Sequence, residues 1–150
     1  MFRSLIGMFR ARKEAHSLLQ RFRYASNPDA AIRVAEQMKQ HFDDCWGRKP
    51  NDSVGHALLD TMLPKQGFRV PGVVDLTGGR PDTPEWVAFM LVADQDNSDY
   101  YEYLDGLESW ADQGRDLRWI VPLIRRLSEG YEGYTLDKSR RTVNRILHGG

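Results

Sequence analysis

The 150-residue sequence predicts a mainly α-helical fold, a single compact domain of about six helices with an irregular Pro/Gly-rich centre. Three observations carry that expectation. Apolar residues recur at spacings of three, four and seven over most of the chain. Two helix starts are spelled out, Asn27-Pro28-Asp29 and Thr83-Pro84-Glu85, each a capping side chain, a proline at the first helical position and an acid in the first turn. Four of the seven prolines, Pro64, Pro71, Pro81 and Pro84, crowd one stretch together with Gly67, Gly72, Gly78 and Gly79.

In chain order, Leu5, Met8, Ala15, Leu19 and Phe22 mark the apolar stripe of a first helix, with Arg3, Arg10, Ser17 and Arg21 roughly opposite. Phe2, Ile6 and Phe9 add a second apolar flank, more than one packed face requires. Residues 1–24 therefore read as a basic amphipathic helix available for partner contact. The second helix runs from Pro28 to about Cys45 and buries Ala31, Val34, Ala35, Met38 and Phe42. A short helix, Ser53 to Leu63, is stopped by Pro64.

The centre, 64–83, reads as a long ordered loop. Phe68-Arg69-Val70 and Val73-Val74-Asp75-Leu76 leave room for a small hairpin broken at Pro71. Trp86 to Ala93 is apolar almost all round, a deeply buried helix or a central strand; Ala, Met and Leu with only two valines favour helix. If it is a strand, the fold becomes α+β. Tyr100, Tyr103, Leu104, Leu107, Trp110 and Ala111 line the next helix, which Gly114 caps. Glu102, Asp105, Glu108 and Asp112 face outward from it, beside an exposed Tyr101. Leu117 to Leu127 forms a further helix that Pro122 should kink. The last helix, Leu136 to Leu147, buries Leu136, Val143, Ile146 and Leu147.

The composition, 41% apolar and 28% charged, is that of an ordinary globular protein. No apolar run approaches the ~18 residues of a membrane span, so no transmembrane segment is expected. The lone Cys45 excludes an internal disulfide and fits a reducing, cytoplasmic location. Formal charge is zero but segregated: residues 1–50 carry net +5, 51–114 net −9 and 115–150 net +4. The acidic middle either folds on its own basic ends or meets those of a neighbour.

Chemistry finds little to stand on. The four histidines sit apart, without zinc spacing. Asp94, Asp96, Ser98 and Asp105 echo a calcium loop, but Asp99 replaces the turn glycine and Asp105 is too short for the bidentate position. Asp75 to Arg80 lacks the lysine and spacing of a phosphate loop. No serine elbow or Cys–His pair is present. No metal, cofactor or catalytic residue is expected.

The function this supports is a non-catalytic interaction protein that binds itself or a larger protein complex through segregated helical faces. Its partner-binding residues would be Phe2, Ile6, Phe9, Arg3, Arg10, Tyr101, Glu102, Asp105 and Glu108. The alternative is a nucleic-acid-binding accessory protein using Arg118, Arg125, Lys138, Arg141 and Arg145 on phosphates. An arginine-rich, amphipathic start would also suit a transit peptide or interfacial helix. A helix docked on a partner subunit explains the same residues and is preferred.

Overall fold

The computed structural model describes residues 2–45, 53–62, 83–94 and 100–149, with side chains from Ile6 onward. Among them seven α-helices form: α1 (Phe2–Arg23), α2 (Pro28–Asp43), α3 (Val54–Met62), α4 (Pro84–Ala93), α5 (Tyr100–Asp112), α6 (Val121–Ser128) and α7 (Gly133–His148). A 3₁₀ turn, Arg118–Ile120, leads into α6. No helix of the described chain is long and apolar enough to cross a membrane.

The two proline-marked starts fold as their residues dictate. Asn27 is extended and its side chain accepts a hydrogen bond from the Ala30 N–H at 2.8 Å. Thr83 does the same for the Trp86 N–H at 3.2 Å. Each satisfies one of the donors that a helix N-terminus leaves without an intrahelical partner. At the end of α5, Gly114 takes φ 86°, a conformation open to glycine at little cost. The Arg115 N–H then reaches the Trp110 carbonyl and the Gly114 N–H the Ala111 carbonyl, the paired bonds of a Schellman stop.

The core is built around α4. Every side chain from Trp86 to Val92 is buried, and the helix is packed by α2, α5 and α6. Phe42 of α2 closes an aromatic cluster with Trp86 and Phe89, with ring centroids 5.1–6.0 Å apart. This settles Trp86–Ala93 as helix rather than strand. No strand occurs among the described residues; the expected hairpin at 68–76 lies outside them, as do the loop 75–80 and residues 95–99 of the calcium-like turn.

Four element-level expectations are corrected. The buried stripe of α1 is Ala11, Ala15, Leu18 and Phe22; Met8 and Leu19 flank it half-buried, one step round the helix. Pro122 kinks nothing, because the 3₁₀ turn ends first and Pro122 falls in the opening turn of α6, where no backbone donor is lost from the ladder. The last helix begins at Gly133, not Leu136. Its best-buried positions are Ser139, Thr142 and Val143, while Leu136, Ile146 and Leu147 are half-buried.

Candidate interaction surface

The acidic and basic helices meet inside the chain. Along the contact, Tyr100 Oη lies 3.2 Å from Ser139 Oγ, and Tyr101 Oη bonds Thr135 Oγ1. Further on, Lys138 Nζ donates to Glu108 Oε2 at 3.1 Å and to Asp105, and Thr142 Oγ1 to Glu108 Oε1 at 3.0 Å. Arg145 forks onto Asp112 at 2.9 and 2.6 Å. Residue numbers rise together on both sides, so α5 and α7 run parallel and are stitched along their length.

The electrostatics follow from this pairing. Burial alone would lower the Lys138 ammonium, but its bonds to Asp105 and Glu108 outweigh burial and hold it above the ordinary lysine value. The bond from Arg145 pulls the Asp112 carboxyl below the usual range. Beyond the seam, Arg118 bonds Asp116 through side chain and backbone and brings that carboxyl down to about 2. Burial raises the Tyr100 phenol.

Two expectations about α5 are overturned here. Tyr101 is half-buried rather than exposed, its ring 5.5 Å from Tyr134. Glu108 is not a solvent-facing acid, since its side chain is 17% exposed against Lys138 at 12%. Asp105 and Glu108 thus spend their charge within the molecule, and only Glu102 of the acidic set stands exposed with no ion pair among the described residues. Of the basic set, Lys138, Arg145 and Arg118 are paired in the same way, and Arg141 lies over the Tyr134 ring at 5.7 Å. Arg125 is exposed. In the open groove of about 460 Å³ along α7, two of the lining cations, Lys138 and Arg145, are thus already matched by acids of α5, while Arg141 and His148 are exposed beside them.

The face of α1 is different. A helix turns ~100° per residue, so positions nine apart point in opposite directions. Ile6 stands opposite Ala15 and Phe9 opposite Leu18, and since Ala15 and Leu18 are buried in the core, Ile6 and Phe9 are turned out, 48% and 60% exposed. Phe2 and Arg3, expected on the same helix, lie outside the described side chains. Arg10, Arg12, Lys13 and His16 are exposed around the apolar pair, with Glu14 as the acid among them, and Glu14 engages Arg21 at 3.7 Å.

Sequence reasoning missed the acids on the neighbouring helix. The turn between α1 and α2 spans four residues, 24–27, and the two helices pack on each other, so the N-terminal half of α1 lies beside the C-terminal half of α2. There Glu36, Asp43 and Asp44 are exposed, with Lys39 the cation among them. Their signal, acids on the outer positions of a helix paired antiparallel with a basic one, becomes visible only once the hairpin is drawn.

The Cys45 thiol is buried, bonded to the His41 carbonyl at 3.1 Å and to Ser53 Oγ at 3.0 Å. Burial lowers the His56 imidazole, against Asp60 one turn on. Among the described residues no group of His, Cys, Asp and Glu is placed to hold a metal ion. Comparisons with protein-family models, with curated proteins and with solved structures found no match.

Proposed function

We propose that this chain is a non-catalytic interaction protein that assembles with a second copy of itself through the outer face of α1. The single observation behind the reading is the exposure of Ile6 and Phe9 on the side of α1 turned away from its own core. Isolated exposed apolar residues are common, but two on one face, on adjacent turns and ringed by charge, form a small apolar centre with a polar rim.

Charge selects the occupant. Two α1 helices laid directly on each other would oppose cation to cation. The exposed acids of the neighbouring α2, Glu36, Asp43 and Asp44, offer the complement: in the two-fold dimer proposed, the α1 cations of each copy meet the α2 acids of the other. A surface that carries both signs side by side is complementary to itself. Of the α5 acids, Asp105, Glu108 and Asp112 do not contribute, being bound to α7.

Light scattering against concentration tests the reading. A dimer of twice 17.3 kDa is expected at low salt, loosening as salt screens the rim. Phe9→Ser should raise the dissociation constant by about tenfold or more without lowering the melting temperature measured at concentrations where both chains are monomers. A wild-type chain that remains a monomer at millimolar concentration and low salt would overturn it.

A further inference from the structure

A second feature stands at the other end of α1, about 20 Å along the helix from Phe9 at ~1.5 Å per residue. There the end of α1, the start of α2 and the head of α6 enclose a cavity of about 170 Å³. Its apolar walls are Phe22, Ala31, Trp119 and Leu123, and its polar groups are Arg23, Ser26 and Asn27. Among the described residues no carboxylate lines it. A dry cavity of about 150 Å³ accommodates benzene, so this one takes a body of that size.

The polar groups that remain are donors. The Asn27 side-chain oxygen is committed to the Ala30 N–H, leaving its amide N–H₂ beside Ser26 at 3.4 Å. Arg23 is held in place: its guanidinium lies 4.1 Å over the Trp119 ring, and its side chain is 30% exposed. Glu85 pairs with its Nε at 3.7 Å and Asp116 feels its charge, but neither holds it by a hydrogen bond: among the described residues the guanidinium donates none, so its N–H fork is open to a ligand. A planar fork of five donors, fixed by stacking at the edge of an apolar cavity, matches a carboxylate in shape and charge.

We propose that this cavity binds a small carboxylate with an aryl or branched-alkyl body, the body against Phe22, Ala31 and Leu123 and the carboxylate on Arg23. This goes beyond the assembly reading and does not depend on it. The acid is either a free small molecule or the C-terminal residue of a peptide, which present the same chemistry.

Titration of the full chain, followed by the Trp119 indole N–H resonance (assigned by its loss in Trp119→Phe), tests the site with three probes. These are phenylacetate, benzyl alcohol as the neutral analogue, and a pentapeptide ending in Phe. Saturable binding is expected, with phenylacetate about tenfold tighter than benzyl alcohol. Arg23→Gln should erase that preference while leaving benzyl alcohol binding unchanged, which also shows that the pocket is still formed. Tighter binding of the peptide than of phenylacetate supports the site with a peptide C-terminus as its source; the reverse supports it with a free acid. No saturable shift with any probe, equal affinity of the wild type for acid and alcohol, or a preference that survives Arg23→Gln, each overturns the proposal.

Discussion

Lys138 of α7 places its ammonium 3.1 Å from Glu108 of α5, and both side chains are more than four-fifths removed from solvent. Two charges withdrawn together are tolerated because each is bonded again, Lys138 to Asp105 and Glu108 to Thr142. Removing one partner leaves the other charged and underbonded. Lys138→Met should therefore cost about 1–3 kcal/mol in urea denaturation. The double change Lys138→Met/Glu108→Leu should recover most of that loss, since an apolar pair of similar size carries no desolvation cost. A double variant no more stable than the single one would show that the ammonium is not what Glu108 needs.

The same pair marks how far the sequence could be read. Helix starts were legible because their signals are local: Asn27 and Thr83 act within three residues of themselves. The identity of α4 was legible from composition, since a segment buried all round admits no polar face. The seam between α5 and α7 was not, because Glu108 and Lys138 are 30 residues apart and periodicity reports only that each faces away from its own helix's apolar stripe. Outward from the stripe reads as toward water, whereas in the fold it points toward another helix. Ser139 and Thr142 misled for a related reason: hydroxyls bonded to Thr135 and Lys138 carbonyls are buried at little cost, which an apolar count cannot register. The outer face of α1 was legible in kind, through the surplus of Phe2, Ile6 and Phe9, whereas the acids that α2 brings beside it required the hairpin.

His56 should make the fold sensitive to mild acid. Its imidazole is buried, Nδ1 has no hydrogen-bond partner among the described residues, and burial lowers its pKa below 6.5 despite Asp60. The unfolded chain therefore binds more protons than the folded one once pH falls below about 6.5, and stability declines with falling pH in that window. Carboxylates held low, such as Asp112 and Asp116, act only in more acidic solution. Urea midpoints measured from pH 7.5 to 5 should fall in the wild type and flatten in His56→Leu. An equal slope in both would assign the acid sensitivity elsewhere.

Gly55 is where α3 passes closest to the end of α2. A Cβ built there would lie 1.9 Å from Cys45 Sγ and 2.5 Å from the His41 carbonyl oxygen. Gly55→Ala should then destabilise by about 1–3 kcal/mol, against the usual gain from alanine in a helix. Cys45→Ala removes the sulfur but not the carbonyl. In that background the glycine change should cost less without becoming neutral, and a thermal double-mutant cycle reads the difference directly. Additive losses would mean that the two residues do not share the contact.

Thr83 joins two helices with one hydroxyl. It accepts from the Trp86 N–H at the start of α4 and donates to the Met62 carbonyl at the end of α3, at 2.8 Å. Asn27 caps α2 with the same geometry but at an exposed site. Loss of an N-cap alone costs about 1 kcal/mol. Thr83→Ala also strips the Met62 carbonyl of a partner where the site is partly buried, so its cost should be about 2 kcal/mol and exceed that of Asn27→Ala. Because α4 is the helix around which the core is packed, this loss should lower the single cooperative unfolding transition rather than fray one end. Thr83→Ser, which keeps both bonds, should remain close to wild type. Equal losses for Thr83→Ala and Asn27→Ala would reduce the Met62 bond to a bystander and leave capping as the whole of the effect.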